Sequence, residues 1–96
     1  MKEITIDKII NNLNNLNIID IRDNYLFNIS KIPNAKNIPM NLLLIKPNFY
    51  LNKKETYYIY CNFGVNSKKV CEVLSCKGFD VVSISGGFNQ YKKFIK

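Results

Sequence analysis

The chain contains no histidine and no tryptophan, and its single arginine is Arg22. Without imidazole there can be no His-based metal site, no Cys-His or Ser-His nucleophile pair and no imidazole acid–base step. Cysteine is scarce too: Cys61, Cys71 and Cys76. An odd number without a CxxC pair fits neither a disulfide framework nor a zinc site. The expectation is free thiols in a reducing compartment, with no metal and no cofactor. No apolar run approaches the ~18–20 residues needed to cross a membrane, so no membrane partner is expected. The opening MKEITIDKII lacks the pattern of a secretory signal, which makes a cytoplasmic chain the expectation.

What is present is 96 residues, 47% of them hydrophobic and 22% charged. A chain of this length buries roughly 60–65% of its unfolded surface, enough for one core and one domain over 1–96. The net charge is +7, from 14 basic and 7 acidic residues. Such a surplus suits an anionic partner, either a small oxyanion, a phosphate or a nucleic acid. The abundance of Asn, Lys and Ile also marks an AT-rich coding sequence, and that drift accounts better for the overall charge. No RNA-binding motif is present, so a nucleic-acid partner is not expected.

The periodicity of Ile6, Ile9, Ile10 and Leu13 predicts a short helix over about 6–14, with Thr5 or Asp7 as its cap. Residues 18–21, Ile-Ile-Asp-Ile, read as a buried strand. A loop is expected over about 23–39, then a short helix from Asn41 to Ile45 closed by Pro47. Thr56 to Tyr60 is a second strand, and helical spacing resumes at Ser67 with Val70, Val73 and Leu74. Gly78 stands at the expected helix end. Asp80 to Ile84 is a third strand. Gly86-Gly87 forms a turn, and Phe88 to Ile95 a last helix. A short edge strand is expected at about 2–5. Strands alternating with helices imply an α/β fold built on a mostly parallel central sheet.

Ligands of such sheets sit beyond the carboxyl ends of the strands. Three ends carry polar chemistry: Asp20–Arg22, Cys61, and Ser85-Gly86-Gly87. The stretch Cys61-Asn62-Phe63-Gly64-Val65-Asn66-Ser67 runs from a strand end into a helix. Successive N–H groups of such a loop can form an anion-binding nest, and the helix N-terminus adds partial positive charge. Gly64 admits a backbone angle closed to other residues. Lys68 and Lys69 add charge if they lean toward the loop. Both effects favour an anionic sulfur. Cys61 is equally readable as a small buried hydrophobe at a strand end. Cys71 is expected to be a packed core thiol and Cys76 to be exposed.

Three segments resemble the single-domain rhodanese family of sulfurtransferases. Ile19-Asp20-Ile21-Arg22-Asp23 is similar to the family's D-[VI]-R-[ED], and Ile32-Pro33-Asn34-Ala35-Lys36-Asn37-Ile38-Pro39 resembles H-I-P-G-A-x-N-I-P. Tyr58 to Ser67 resembles the active-site stretch V-x-Y-C-x-x-G-x-R-S. Lys77-Gly78-Phe79 through Ser85-Gly86-Gly87-Phe88 is similar to K-G-[FY]…L-x-G-G-[IF], and Tyr91 stands where the family usually has Trp. The resemblance implies a rhodanese-like sheet of about five strands flanked by helices. Nothing in the sequence demands an oligomer, so a monomer is expected. The resemblance also implies that Cys61 attacks a sulfane sulfur donor such as thiosulfate. Sulfite leaves, a cysteine persulfide remains, and its outer sulfur passes to cyanide or to a small or protein thiol.

The chain departs from the family pattern at three places. Asn66 replaces the loop Arg, so a dianionic donor loses a charged partner. Ser30-Lys31 replaces Gly-His, and Lys31 restores a cation if it faces the site. Leu26 falls where a Glu is usual, so Arg22 needs Asp20 or Asp23 as its carboxylate partner. Asp20 and Arg22 are read as supports of the loop. Two other readings stand beside sulfur transfer. One is a weak or inactive binding module on the same scaffold. The other is a phosphatase or arsenate reductase with a C-x₅-R loop, whose Arg position is Ser67 here.

Overall fold

A computed structural model describes residues 2–95 of the chain. Five strands, β1 (Lys2–Thr5), β2 (Asn17–Asp20), β3 (Ala35–Asn37), β4 (Thr56–Tyr60) and β5 (Asp80–Ser85), form one sheet in the order β1-β5-β4-β2-β3. Every pairing is parallel. The helices are α1 (Asn24–Ile29), α2 (Met40–Ile45), α3 (Pro47–Tyr50), α4 (Val65–Cys76) and α5 (Gly87–Ile95). The expected α/β architecture with a parallel central sheet is what the chain adopts.

Alternation along the central strands gives the sheet two buried faces, as parallel sheets require. Ile19, Ile21, Ile59, Cys61 and Val81 pack with Val70, Cys71 and Leu74 of α4. Ile18, Tyr60 and Ile84 pack with Ile6, Ile9, Phe88 and Tyr91. The β2–β4 register sets Asp20 beside Tyr60, so a carboxylate and a phenol share the second face. From β2 the chain continues to β3 on one side, and from β4 it continues to β5 on the other. The strand order therefore reverses between β2 and β4, which opens a crevice at their carboxyl ends.

Four local expectations need correction. The helix predicted over 6–14 is two single 3₁₀ turns, Ile6–Lys8 and Leu13–Asn15. The apolar positions are buried as their spacing demands, but the Asn-rich segment between them is a poor helix former. Neither turn has a side-chain cap, so Thr5 does not serve as one. The loop expected over 23–39 contains α1 and β3. α1 has six residues and half-buries only Leu26 and Phe27, too little to show a helical period, and β3 is three residues at the sheet edge. Pro47 does not simply close α2. It opens α3 from the first-turn position where proline costs no hydrogen bond. α4 begins at Val65, two residues before Ser67, because Gly64 with φ 93° supplies the break.

Candidate active site

Cys61 follows β4 directly and is buried, 6% exposed. Its Sγ accepts hydrogen bonds from the backbone N–H of Gly64 at 3.2 Å and of Ser67 at 3.3 Å. The Cys61 thiol in turn lies 3.6 Å from Ser67 Oγ, to which it donates. Ser67 is anchored from below: its Oγ donates to the Gly64 carbonyl at 3.3 Å and is 3.0 Å from Ser83 Oγ. Residues 61–67 thus wrap backbone donors and the positive end of the twelve-residue α4 around one sulfur.

The next crossover clamps this loop from the other side. Phe88 N–H donates to the Cys61 carbonyl at 2.8 Å and Asn89 N–H to that of Asn62 at 2.9 Å. That approach requires glycine at 87. A Cβ there would lie 2.2 Å from the Cys61 carbonyl oxygen, and the backbone is left-handed at φ 56°. Gly86 and Gly87 are therefore turn formers that dock two strand ends.

Arg22 and Asp20 form the floor beside it. Arg22 Nε donates to Asp20 Oδ1 at 3.1 Å and Oδ2 at 3.0 Å, and Nη2 to Oδ2 at 2.8 Å. Asp20 also accepts from the Arg22 backbone N–H and from Tyr60 Oη. Arg22 further donates to the Ser30 carbonyl at 2.6 Å and to Asn62 Oδ1 at 3.4 Å, which ties the ion pair to the Cys61 loop. Its guanidinium stacks 4.3 Å from the Phe88 ring centroid. Burial opposes the Arg22 charge, but the bonded Asp20 more than offsets it and holds the pKa above the ordinary value. Burial and the bond to Asp20 push the Tyr60 phenol up as well. Among the described residues every buried side-chain N and O has a hydrogen-bond partner, so this polar core is fully satisfied.

The crevice between the β2 and β4 ends is a cavity of about 670 Å³. Cys61, Asn62, Phe63, Val65 and Asn66 line one side, and Ile21, Arg22 and Asp23 another. Gly64 and Ser67 contribute donors from beneath. Asn66 is exposed at the rim. Of the two carboxylates considered for Arg22, Asp20 is the partner. Lys31 is not in the lining: its Nζ sits 4.7 Å over the Phe27 ring. Lys68 and Lys69 are exposed on α4 and do not line the cavity either. The sequence reading missed Leu26, Met40 and Leu44, which supply the apolar wall. It also missed Tyr60, whose hydroxyl bridges Asp20 and the Ile32 N–H. A buried strand tyrosine needs a partner for its hydroxyl, and that was the available signal.

Cys71 is fully buried and Cys76 exposed. Burial, then the Cys61 sulfur and Glu3, push the Cys71 thiol up to about 12. The folded state therefore keeps a proton that the unfolded chain releases near 9.0, the ordinary value. This contribution is fully present below about pH 9 and is lost as pH climbs toward about 12. Tyr60 acts in the same direction. Urea midpoints are expected to hold from pH 7 to about 9 and then decline. At neutral pH a maleimide should label Cys76 and leave Cys71 untouched until the protein unfolds. Labelling of Cys71 in the folded state would contradict this.

Residues 5–94 match the family model described as Rhodanese-like domain. A rhodanese-like domain protein from Staphylococcus aureus is 39% identical, with 95% of this chain and 91% of that chain covered and a TM-score of 0.85. A protein from Staphylococcus saprophyticus is 32% identical, with 95% and 93% covered and a TM-score of 0.86. The adenylyltransferase and sulfurtransferase uba4 of Ogataea parapolymorpha is 29% identical over 79 residues. That match takes in 81% of this chain and 20% of the relative, so the chain spans about a fifth of that protein's length. The match over 5–94, on a five-stranded parallel sheet with a cysteine loop at its switch point, shows that the chain belongs to the rhodanese-like domain family.

Proposed function

We propose that the protein is a sulfurtransferase that carries sulfane sulfur as a persulfide on Cys61. The observation that supports this best is the pair of backbone N–H donors on Cys61 Sγ, at 3.2 and 3.3 Å, at the head of α4. A thiolate and a persulfide are both sulfur anions, and both need fixed donors in place before reaction. In the proposed step the Cys61 thiolate attacks the outer sulfur of thiosulfate or of a persulfide. A new S–S bond forms, and the old one breaks with its electron pair leaving on sulfite or on a thiolate. A thiol acceptor then takes the outer sulfur by the reverse displacement. Sulfur passes between nucleophiles without net electron transfer, so the balance calls for no redox cofactor. Gly64 and Ser67 supply the donors, Asn62, Phe63, Val65 and Asn66 shape the mouth, and Asp20 and Arg22 position the loop.

The phosphatase reading has little support. Position 67 is a buried serine bonded to Ser83, not a cation facing a phosphoryl group. The test is intact mass spectrometry before and after thiosulfate or an organic persulfide. A gain of one sulfur mass is expected, reversed by dithiothreitol and absent in Cys61→Ser. No adduct with any donor would leave a binding module on this fold. Asn66→Arg is expected to raise loading by thiosulfate about tenfold, because a guanidinium at the rim meets the sulfonate with charge and a bidentate face. An unchanged rate in that variant would show that position 66 does not reach the donor.

A further inference from the structure

The cavity around Cys61 is built for something other than a small inorganic dianion. Six of its lining residues are apolar, Phe63 and Val65 on the side of Cys61 and Ile21, Leu26, Met40 and Leu44 around the rest of the crevice. Phe63 and Val65 stand on the cysteine loop itself and are 69% and 61% exposed. Large apolar side chains left open beside a reactive sulfur gain most when a ligand covers them. The charges of the cavity point the same way. Among the described residues Arg22 is its one cation, and Asp20 neutralises that charge. The other ionisable group of the lining besides Cys61 is the carboxylate of Asp23. Asn41, Asn62 and Asn66 add amides without charge. A cavity of about 670 Å³ is also far roomier than thiosulfate requires.

Resting on the sulfurtransferase reading, we infer that the donor is a small organic sulfane-sulfur compound of low charge with an apolar body lying against Phe63, Val65, Leu26 and Leu44. Organic thiosulfonates, R–SO₂–S⁻, test this with the leaving chemistry held constant. The Cys61 thiolate bonds to the terminal sulfur, the bond between the two sulfurs of the thiosulfonate breaks, and its electron pair leaves on the sulfinate R–SO₂⁻. Two anions react and two anions result.

Single-turnover loading of Cys61 should be followed by mass spectrometry with benzenethiosulfonate, methanethiosulfonate and thiosulfate. The expected result is a second-order rate for the benzene compound at least about tenfold above either other donor. Phe63→Ser is expected to shrink the benzene-to-methane ratio severalfold. Leu44→Ser, checked for unchanged circular dichroism, should do the same from the opposite wall. Equal rates for all three donors, or a ratio unmoved by both variants, would overturn the apolar-donor inference while leaving sulfur transfer intact. No loading by any donor would instead remove the sulfurtransferase reading, and this inference with it.

Discussion

Cys61→Ser is expected to lower sulfur transfer by three orders of magnitude or more while leaving the fold in place. The size of the effect follows from what the chain does not contain. Serine can replace cysteine as a nucleophile only where a base takes its proton, and no histidine exists anywhere in the sequence. The N–H donors of Gly64 and Ser67 stabilise an anion already formed but cannot remove a proton. The hydroxyl can still accept those bonds and still meet Ser67 Oγ, so the stability change should stay within about 1 kcal/mol. Single-turnover sulfur loading and urea unfolding of the same sample separate the two quantities. Cys76→Ser is the matched control, because that thiol is exposed at the far end of α4. Retained transfer in Cys61→Ser, or its loss in Cys76→Ser, would place the chemistry elsewhere.

The cysteine loop was legible because it compresses several signals into seven residues. A β-branched and aromatic strand runs into Cys61, a glycine follows three residues later, and helical spacing begins at once. The sheet was legible for a related reason: buried parallel strands read as near-continuous apolar runs. What the sequence hid were the elements with no such signature. α1 half-buries only the adjacent Leu26 and Phe27 and β3 has three residues, so neither carries a period. Helix α2 could be read from its residues, but not the fact that Met40 and Leu44 face Cys61 across a crevice. That placement depends on strand order, which no local pattern encodes. The lysines make the same point in reverse. Lys31, Lys68 and Lys69 lie near the site along the chain, yet none lines the cavity. The positive charge that does line it, Arg22, is neutralised by Asp20.

Asp20→Ala carries the second large effect, an expected loss of about 3–5 kcal/mol in unfolding free energy. Asp20 is fully buried, and its two oxygens accept from Arg22 Nε and Nη2, from the Arg22 backbone and from Tyr60. Truncation removes every one of these acceptors and leaves a guanidinium without its counter-ion in a site closed by Tyr60 and Phe88. Such a loss is a large fraction of the stability of a domain this size. Asp20→Asn keeps the shape but donates where it should accept, so a smaller loss is expected. The double variant Asp20→Leu, Arg22→Met removes both charges together and should recover much of the difference, because the main cost lies in the orphaned charge. Urea unfolding of all three variants checks the order. If Asp20→Ala and the double variant unfold at the same midpoint, the penalty lies in packing and the ion-pair account fails. The chemistry should follow the structure. Arg22 Nη1 holds Asn62 Oδ1 at 3.4 Å, so a released Arg22 loosens the residue after Cys61. Sulfur loading in Asp20→Asn is therefore expected to slow at temperatures where the fold is still intact, and its donor preference should stay that of the unaltered protein.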